Sequence, residues 1–202
     1  MELLSLVRKK LRTASTLLAK HVAHLDPNAL TVLGLILSVL TPIVAYLTKN
    51  SLVVAAIASL AMLMDALDGS VARLRGGTTA FGAFLDSLSD RLSDALLVLA
   101  FYPLGCDYLL VYLVTTFSMI TSYIRARAES LGLKGLADVG LMTREFRSFG
   151  VLVAYLVHYL FGIKAANYAL SILLIGLCVT VIQRSHYVIK SLRGGVHEVE
   201  RV

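Results

Sequence analysis

The sequence predicts an all-α polytopic membrane protein, with six transmembrane helices preceded by an interfacial amphipathic helix. Three observations predict it. Of 202 residues, 57% are hydrophobic and only 16% are charged, whereas about a quarter are charged in a soluble globular domain. Mean hydropathy is +0.79. Several uncharged stretches approach the roughly 20 residues that an α-helix needs to cross the hydrocarbon core.

The elements follow in chain order. Leu3, Leu4, Val7, Leu11, Ala14, Leu18, Val22 and Leu25 recur mainly at helical spacings and form one apolar stripe. Arg8, Lys9, Lys10, Arg12 and Lys20 fall largely off it, so this segment is expected to lie along an anionic membrane surface rather than cross it. Its scattered charges also differ from the short basic patch and apolar core of a cleavable signal peptide. Pro27 disfavours helix at Asp26 and can open the next helix, with Asn28 near its N-terminus. Spans are expected at residues 28–48, 51–75, 79–105, 108–131, 146–162 and 165–189. Pro42 falls inside the first span, where a membrane helix tolerates it. The chain reads as one domain, 1–202, with an interfacial helix at 1–26, a bundle at 27–191 and a cytoplasmic tail at 192–202.

Charge sets the orientation. On one side fall the N-terminal helix, Arg73, Arg75, the 125–147 segment, Arg184, Lys190, Arg193 and Arg201, and on the other only Lys49 and Lys164. The positive-inside rule then makes the termini, the second-to-third loop and the fourth-to-fifth loop cytoplasmic. The net charge of +6 serves this orientation rather than nucleic-acid binding, since the basic residues form no continuous face. Cys106 and Cys178 sit in apolar surroundings without metal-ligand spacing and read as core residues.

The chemistry lies in five aspartates, Asp65, Asp68, Asp86, Asp90 and Asp94, near the cytoplasmic ends of the second and third spans. An isolated carboxylate at a membrane-helix centre costs about 2.5–3.5 kcal/mol on insertion scales, so each needs a partner. Ion pairing with Arg73, Arg75 and Arg91 is one way to supply partners. The spacing points to another. At about 100° per residue, Asp65 and Asp68 share one helix edge, and so do Asp86 and Asp90. Arg75, Gly76 and Gly77 can turn the chain so that the two edges face each other. Four converging carboxylates without His or Cys suit hard cations, and two divalent ions, Mg²⁺ or Mn²⁺, would balance their charge. Gly69, Ser70, Ala72 and Gly82 are small enough to let a nucleotide approach the backbone, or to let helices pack closely. Arg73 can contact phosphate or base.

The run from Asp65 to Asp90, DALDGSVARLRGGTTAFGAFLDSLSD, resembles the CDP-alcohol phosphotransferase signature DxxDGxxARx(8)GxxxDxxxD at every fixed position. The resemblance implies a six-helix homodimeric membrane enzyme that takes a CDP-linked lipid as donor and releases CMP. Residue by residue, it implies metal ligation by Asp65, Asp68, Asp86 and Asp90, with Asp90 also the general base. Gly69, Ala72, Arg73 and Gly82 would line the nucleotide site, approached by Asn28 and Thr31. Asp94 lies outside the signature and, near Arg91, is expected as an ion-pair partner or a support to the ligands.

The signature leaves the acceptor open. The segments SYIRARAE from Ser122, GLMTREFR from Gly140, and Gln183-Arg184 resemble those of prokaryotic phosphatidylinositol phosphate and archaetidylinositol phosphate synthases. That resemblance implies an inositol phosphate acceptor held by Ser122, Arg125, Arg147 and Arg184. Bacterial members often carry Lys at position 125 and Pro at position 145, where this chain has Arg and Glu. Arg127, Lys134 and Arg144 are equally explained as charge at helix ends, and His158 and His186 as apolar-face or interfacial residues. Glycerol 3-phosphate or another alcohol is the alternative acceptor. An ion-coupled transporter is a remote alternative, because its acidic path would have to continue through both leaflets, and here it stops at one.

Overall fold

The computed structural model describes residues 17–77, 79–133, 135–136 and 139–193. Most of the expected interfacial helix, Lys134 and the tail from residue 194 lie outside these. The described chain is helical without strands: α1 (Pro27–Thr48), α2 (Ser51–Leu74), α3 (Ala80–Leu99), α4 (Tyr108–Ser130) and α5 (Arg144–Arg193), with a short helical stretch at 17–21. Four of the five helices are long and apolar enough to cross a membrane, α3 being the exception. Ile172, Ile175 and Ile182 on α5 are each about two-thirds exposed, a pattern suited to lipid rather than water. The protein is a multi-pass membrane protein.

Cap residues set where the helices begin. Asp26 accepts from Asn28 N at 3.0 Å, with Pro27 in the first helical position, where no N–H is needed. Asn50 accepts from Leu52 N at 3.0 Å, Thr79 from Gly82 N at 3.0 Å, and Asp107 from Leu110 N at 2.8 Å. Within α1, Pro42 cannot donate to the Ser38 carbonyl one turn back. The Thr41 hydroxyl donates to that carbonyl instead, at 2.6 Å.

One helix limit differs clearly from the sequence expectation. α3 ends at Leu99, and residues 100–105 are turns, because Pro103 has no N–H to continue a helix and Gly105 has φ +94. The break expected between the fifth and sixth spans is present at Gly162, whose φ 79 and ψ −173 divide α5 into two helices.

The chain forms two compact units. The first comprises Met1–Thr41 with Ala56–Ser93, and the second Pro42–Ala55 with Asp94–Val202. In the first, Ala19, Leu30, Leu67 and Val71 bury against one another, with Val22 and Met64 packed on them. A Cβ on Gly34 would stand 3.3 Å from both Ala61 O and Met64 Cβ, so glycine permits this close approach of α1 and α2.

In the second unit α4 packs along α5. Phe101 and Tyr155 stack with centroids 4.1 Å apart, and the Tyr155 hydroxyl donates to the Leu97 carbonyl. His158 Nε2 donates to Leu104 O at 3.1 Å, which leaves Nδ1 to accept from the Ser51 hydroxyl at 3.0 Å. The segment before α5 is tied to the end of α5 by Leu141 N to Gln183 Oε1 at 3.0 Å and Met142 N to Thr180 Oγ1 at 2.8 Å. Gly140 makes that approach possible: its φ is +112, and a Cβ there would collide with Thr180.

Gly132 also has positive φ, +82, but open space around it. Gly140→Ala is therefore expected to lower the melting temperature in detergent clearly more than Gly132→Ala, which meets only the backbone cost of about 1–2 kcal/mol. Equal shifts in a thermal-unfolding assay would show that the contact with Thr180 is unimportant.

Candidate active site

The first unit brings together Asp65 and Asp68 from α2 and Asp86 from α3, with carboxylate oxygens all within 4.8 Å of one another. The turn between the helices makes this possible. Gly76 and Gly77 have φ +100 and +122, and Gly77 N closes on Ala72 O at 3.0 Å, ending α2 and reversing the chain. Asp68 is buried and held on both oxygens: Thr31 Oγ1 donates to Oδ2 and its neighbour Gly69 N to Oδ1, each at 2.5 Å. Three convergent carboxylates, one of them fixed, fit a hard divalent cation. Asp90, expected as a fourth ligand, lies outside this group; it is buried, and its carboxylate is 3.7 Å from Arg91.

Beside the carboxylates is a cavity of about 520 Å³. Asp68 and Asp86 line it together with Asn28, Thr31, Gly69, Ala72 and Gly82, five of the six residues assigned to a nucleotide from sequence. The helix N-termini at Asp26–Asn28 and Thr79–Gly82 also open on it. Their dipoles favour phosphate there. Gly82 is required for closeness, since a Cβ would stand 3.1 Å from Asn28 Oδ1 and Thr79 Oγ1. Arg73 does not line the cavity and donates to Ser70 Oγ at 3.0 Å. The cation that does line it is Arg75, which donates to the Ala23 and His24 carbonyls at 3.0 Å each. Sequence spacing gave no sign of this exchange, because it depends on how the chain before α1 folds back.

The second unit gathers Ser122, Arg147 and Arg184, all buried. Thr121, not singled out from sequence, joins the two arginines: its hydroxyl accepts from Arg147 Nη1 at 3.3 Å and its carbonyl from Arg184 Nη1 at 2.6 Å. Arg184 Nε also donates to Val139 O at 2.9 Å. Arg125 is half-exposed and pairs with Glu129 at 2.8 Å along its own helix. Asp94 pairs with Arg147, where the sequence suggested Arg91. Chain proximity favoured Arg91, but Arg147 is the buried cation that requires a counter-charge.

The family model for CDP-alcohol phosphatidyltransferases matches residues 24–182. Archaetidylinositol phosphate synthase of Pyrococcus horikoshii is 33% identical over 196 residues, covering 96% of this chain and 100% of that protein. The enzyme of the same name from Aeropyrum pernix is 38% identical over 135 residues, covering 67% of this chain and 69% of that protein. Among solved structures, Mycobacterium tuberculosis phosphatidylinositol phosphate synthase with CDP-DAG bound superposes with TM-score 0.75 at 29% identity, covering 86% of this chain and 92% of that one. The same enzyme in complex with manganese and citrate gives TM-score 0.74.

The geometry sets an order of effects on metal binding. Asp65→Asn, Asp68→Asn and Asp86→Asn are each expected to weaken Mn²⁺ binding at least about tenfold, and Asp90→Asn less, because only the first three share one cluster. Titration of the detergent-purified protein with Mn²⁺, read by electron paramagnetic resonance, measures this. An Asp90→Asn loss equal to the other three would place Asp90 among the ligands.

Proposed function

Because the chain belongs to the CDP-alcohol phosphatidyltransferase family, we propose that it transfers a phosphatidyl-type group from a CDP-linked lipid to a hydroxyl of inositol phosphate, releasing CMP. The donor is CDP-diacylglycerol or CDP-archaeol. The observation that carries the acceptor is the burial of Arg147 and Arg184 on one threonine. Asp94 is already paired with Arg147, and a phosphate dianion on the acceptor would add charge-assisted bonds to both guanidiniums.

In this reading the cavity holds the cytidine nucleotide, with Gly69, Ala72 and Gly82 giving backbone closeness, and Asn28 and Thr31 at its rim. Arg73, one turn beyond Gly69, is assigned to the nucleotide phosphate, which it would reach by leaving its hydrogen bond to Ser70. Asp65, Asp68 and Asp86, with Asp90 one turn further along α3, would hold two divalent ions, Mg²⁺ or Mn²⁺, which would supply charge neutralisation at the diphosphate. Asp90 takes the proton from the acceptor hydroxyl. The hydroxyl oxygen bonds to the lipid-side phosphorus, the phosphorus–oxygen bond to CMP breaks, and CMP leaves with the electron pair. Ser122, Arg125, Arg147 and Arg184 bind the acceptor phosphate.

The membrane setting completes the reading. α5, divided at Gly162, contributes two spans, and α3 is a span despite its charges, which makes six. An interfacial amphipathic helix precedes them, and residues 1–202 act as a single domain in a homodimer. The basic residues at one set of helix ends turn both sites toward the cytoplasm.

An acceptor panel tests the proposal. CMP release from CDP-lipid should be fastest with inositol phosphate, slow with free inositol, and abolished by chelator. A clear preference for glycerol 3-phosphate would refute the acceptor assignment and keep the donor chemistry. Asp90→Asn should lower kcat by roughly 10²–10⁴-fold, the usual weight of a general base. Turnover near that of the parent enzyme would remove Asp90 from that role. Arg147→Ala and Arg184→Ala should each raise the KM for inositol phosphate and leave the KM for CDP-lipid nearly unchanged.

A further inference from the structure

Asp94 belongs neither to the carboxylate cluster nor to the residues assigned to the acceptor phosphate, yet it makes a close ion pair in the second unit. Its Oδ2 accepts from Arg147 Nη2. On the same guanidinium, Nη1 donates to the Thr121 hydroxyl at 3.3 Å. Thr121 also fixes Arg184, through its carbonyl, at 2.6 Å. One threonine thus holds two cations by two different atoms, and Asp94 supplies the counter-charge.

The third nitrogen of Arg147 behaves differently. Nε is buried and has no hydrogen-bond partner among the described residues, although Arg147 as a whole is only 4% exposed. Buried donors are ordinarily paired, and each exception needs a reason. Here the two terminal nitrogens each have a partner, Asp94 and Thr121, so the plane of the guanidinium is set while Nε is the nitrogen left without one. That is the condition of a binding group oriented in advance.

We infer that Asp94 and Thr121 are positioning residues for the acceptor: they hold the guanidiniums of Arg147 and Arg184 in the orientation that receives the acceptor's phosphate. The inference rests on the reading that Arg147 and Arg184 bind that phosphate. Asp94 has two opposing effects on this task. Its negative charge weakens attraction of an anion, and its bond to Arg147 fixes the donor. Burial decides between them. A guanidinium this far from water does not keep its orientation once its only anionic partner among these contacts is gone, so loss of geometry outweighs the gain in net positive charge.

The test uses the full-length enzyme in detergent, with CMP release measured while inositol phosphate and CDP-lipid are varied separately. Asp94→Asn and Thr121→Val should each raise the KM for inositol phosphate by about tenfold or more, a usual cost of losing a group that orients a ligand-binding residue. The KM for CDP-lipid should change less than about twofold, since the cavity belongs to other residues. Asp94→Glu should recover part of the loss. A purely structural role would instead raise both KM values and lower the melting temperature together. An unchanged or lowered inositol phosphate KM in both variants, alongside a raised KM in Arg147→Ala, overturns the inference and leaves the phosphate site standing. An unchanged KM in Arg147→Ala and Arg184→Ala as well removes the phosphate site and the inference with it. If Asp94→Asn does not fold, Thr121→Val decides alone, because it keeps the carbonyl that holds Arg184.

Discussion

Most polar groups placed inside the apolar helices of this protein find their partner within the protein, because lipid offers none. The rule operates at each scale. The Ser38 carbonyl, deprived of its donor by Pro42, is met by the Thr41 hydroxyl. Asp68 is held by Thr31 and by the backbone of Gly69. Arg147 is met by Asp94 and Thr121. Small hydroxyl residues recur in these pairings because they reach backbone and side chain alike without enlarging the helix.

The same constraint explains why the chemistry rests on rigid elements. The carboxylates project from α2 and α3 at positions fixed by helical geometry, joined by a turn that two positive-φ glycines permit. Such a scaffold loses little freedom when a cation or diphosphate arrives, so binding energy is not consumed in ordering it. The helix N-termini that open on the cavity add a field that no individual side chain reveals.

The proposed acceptor site is built differently. Its cations come from α5, on either side of the break at Gly162, and are tied to α4 through Thr121. In the proposed reading, preference for a phosphorylated alcohol follows from the charge-assisted bonds that its phosphate makes with these cations. An acceptor without phosphate forgoes those bonds.

Much of this was legible in the sequence because it depends on local period and spacing. Hydropathy marked the long apolar helices, Asp26-Pro27 marked the start of α1, and the interval from Asp65 to Asp86 dictated one acidic edge on each of two antiparallel helices. A run of apolar residues or a pair of carboxylates one turn apart carries its geometry with it. What only the tertiary structure decided is which distant groups meet: Arg75 rather than Arg73 at the cavity, Asp94 with Arg147 rather than Arg91, and Thr121 beneath two arginines. Those pairings join residues from tens of positions apart. They are selected by burial and the need to compensate charge, and neither can be computed from spacing along one helix.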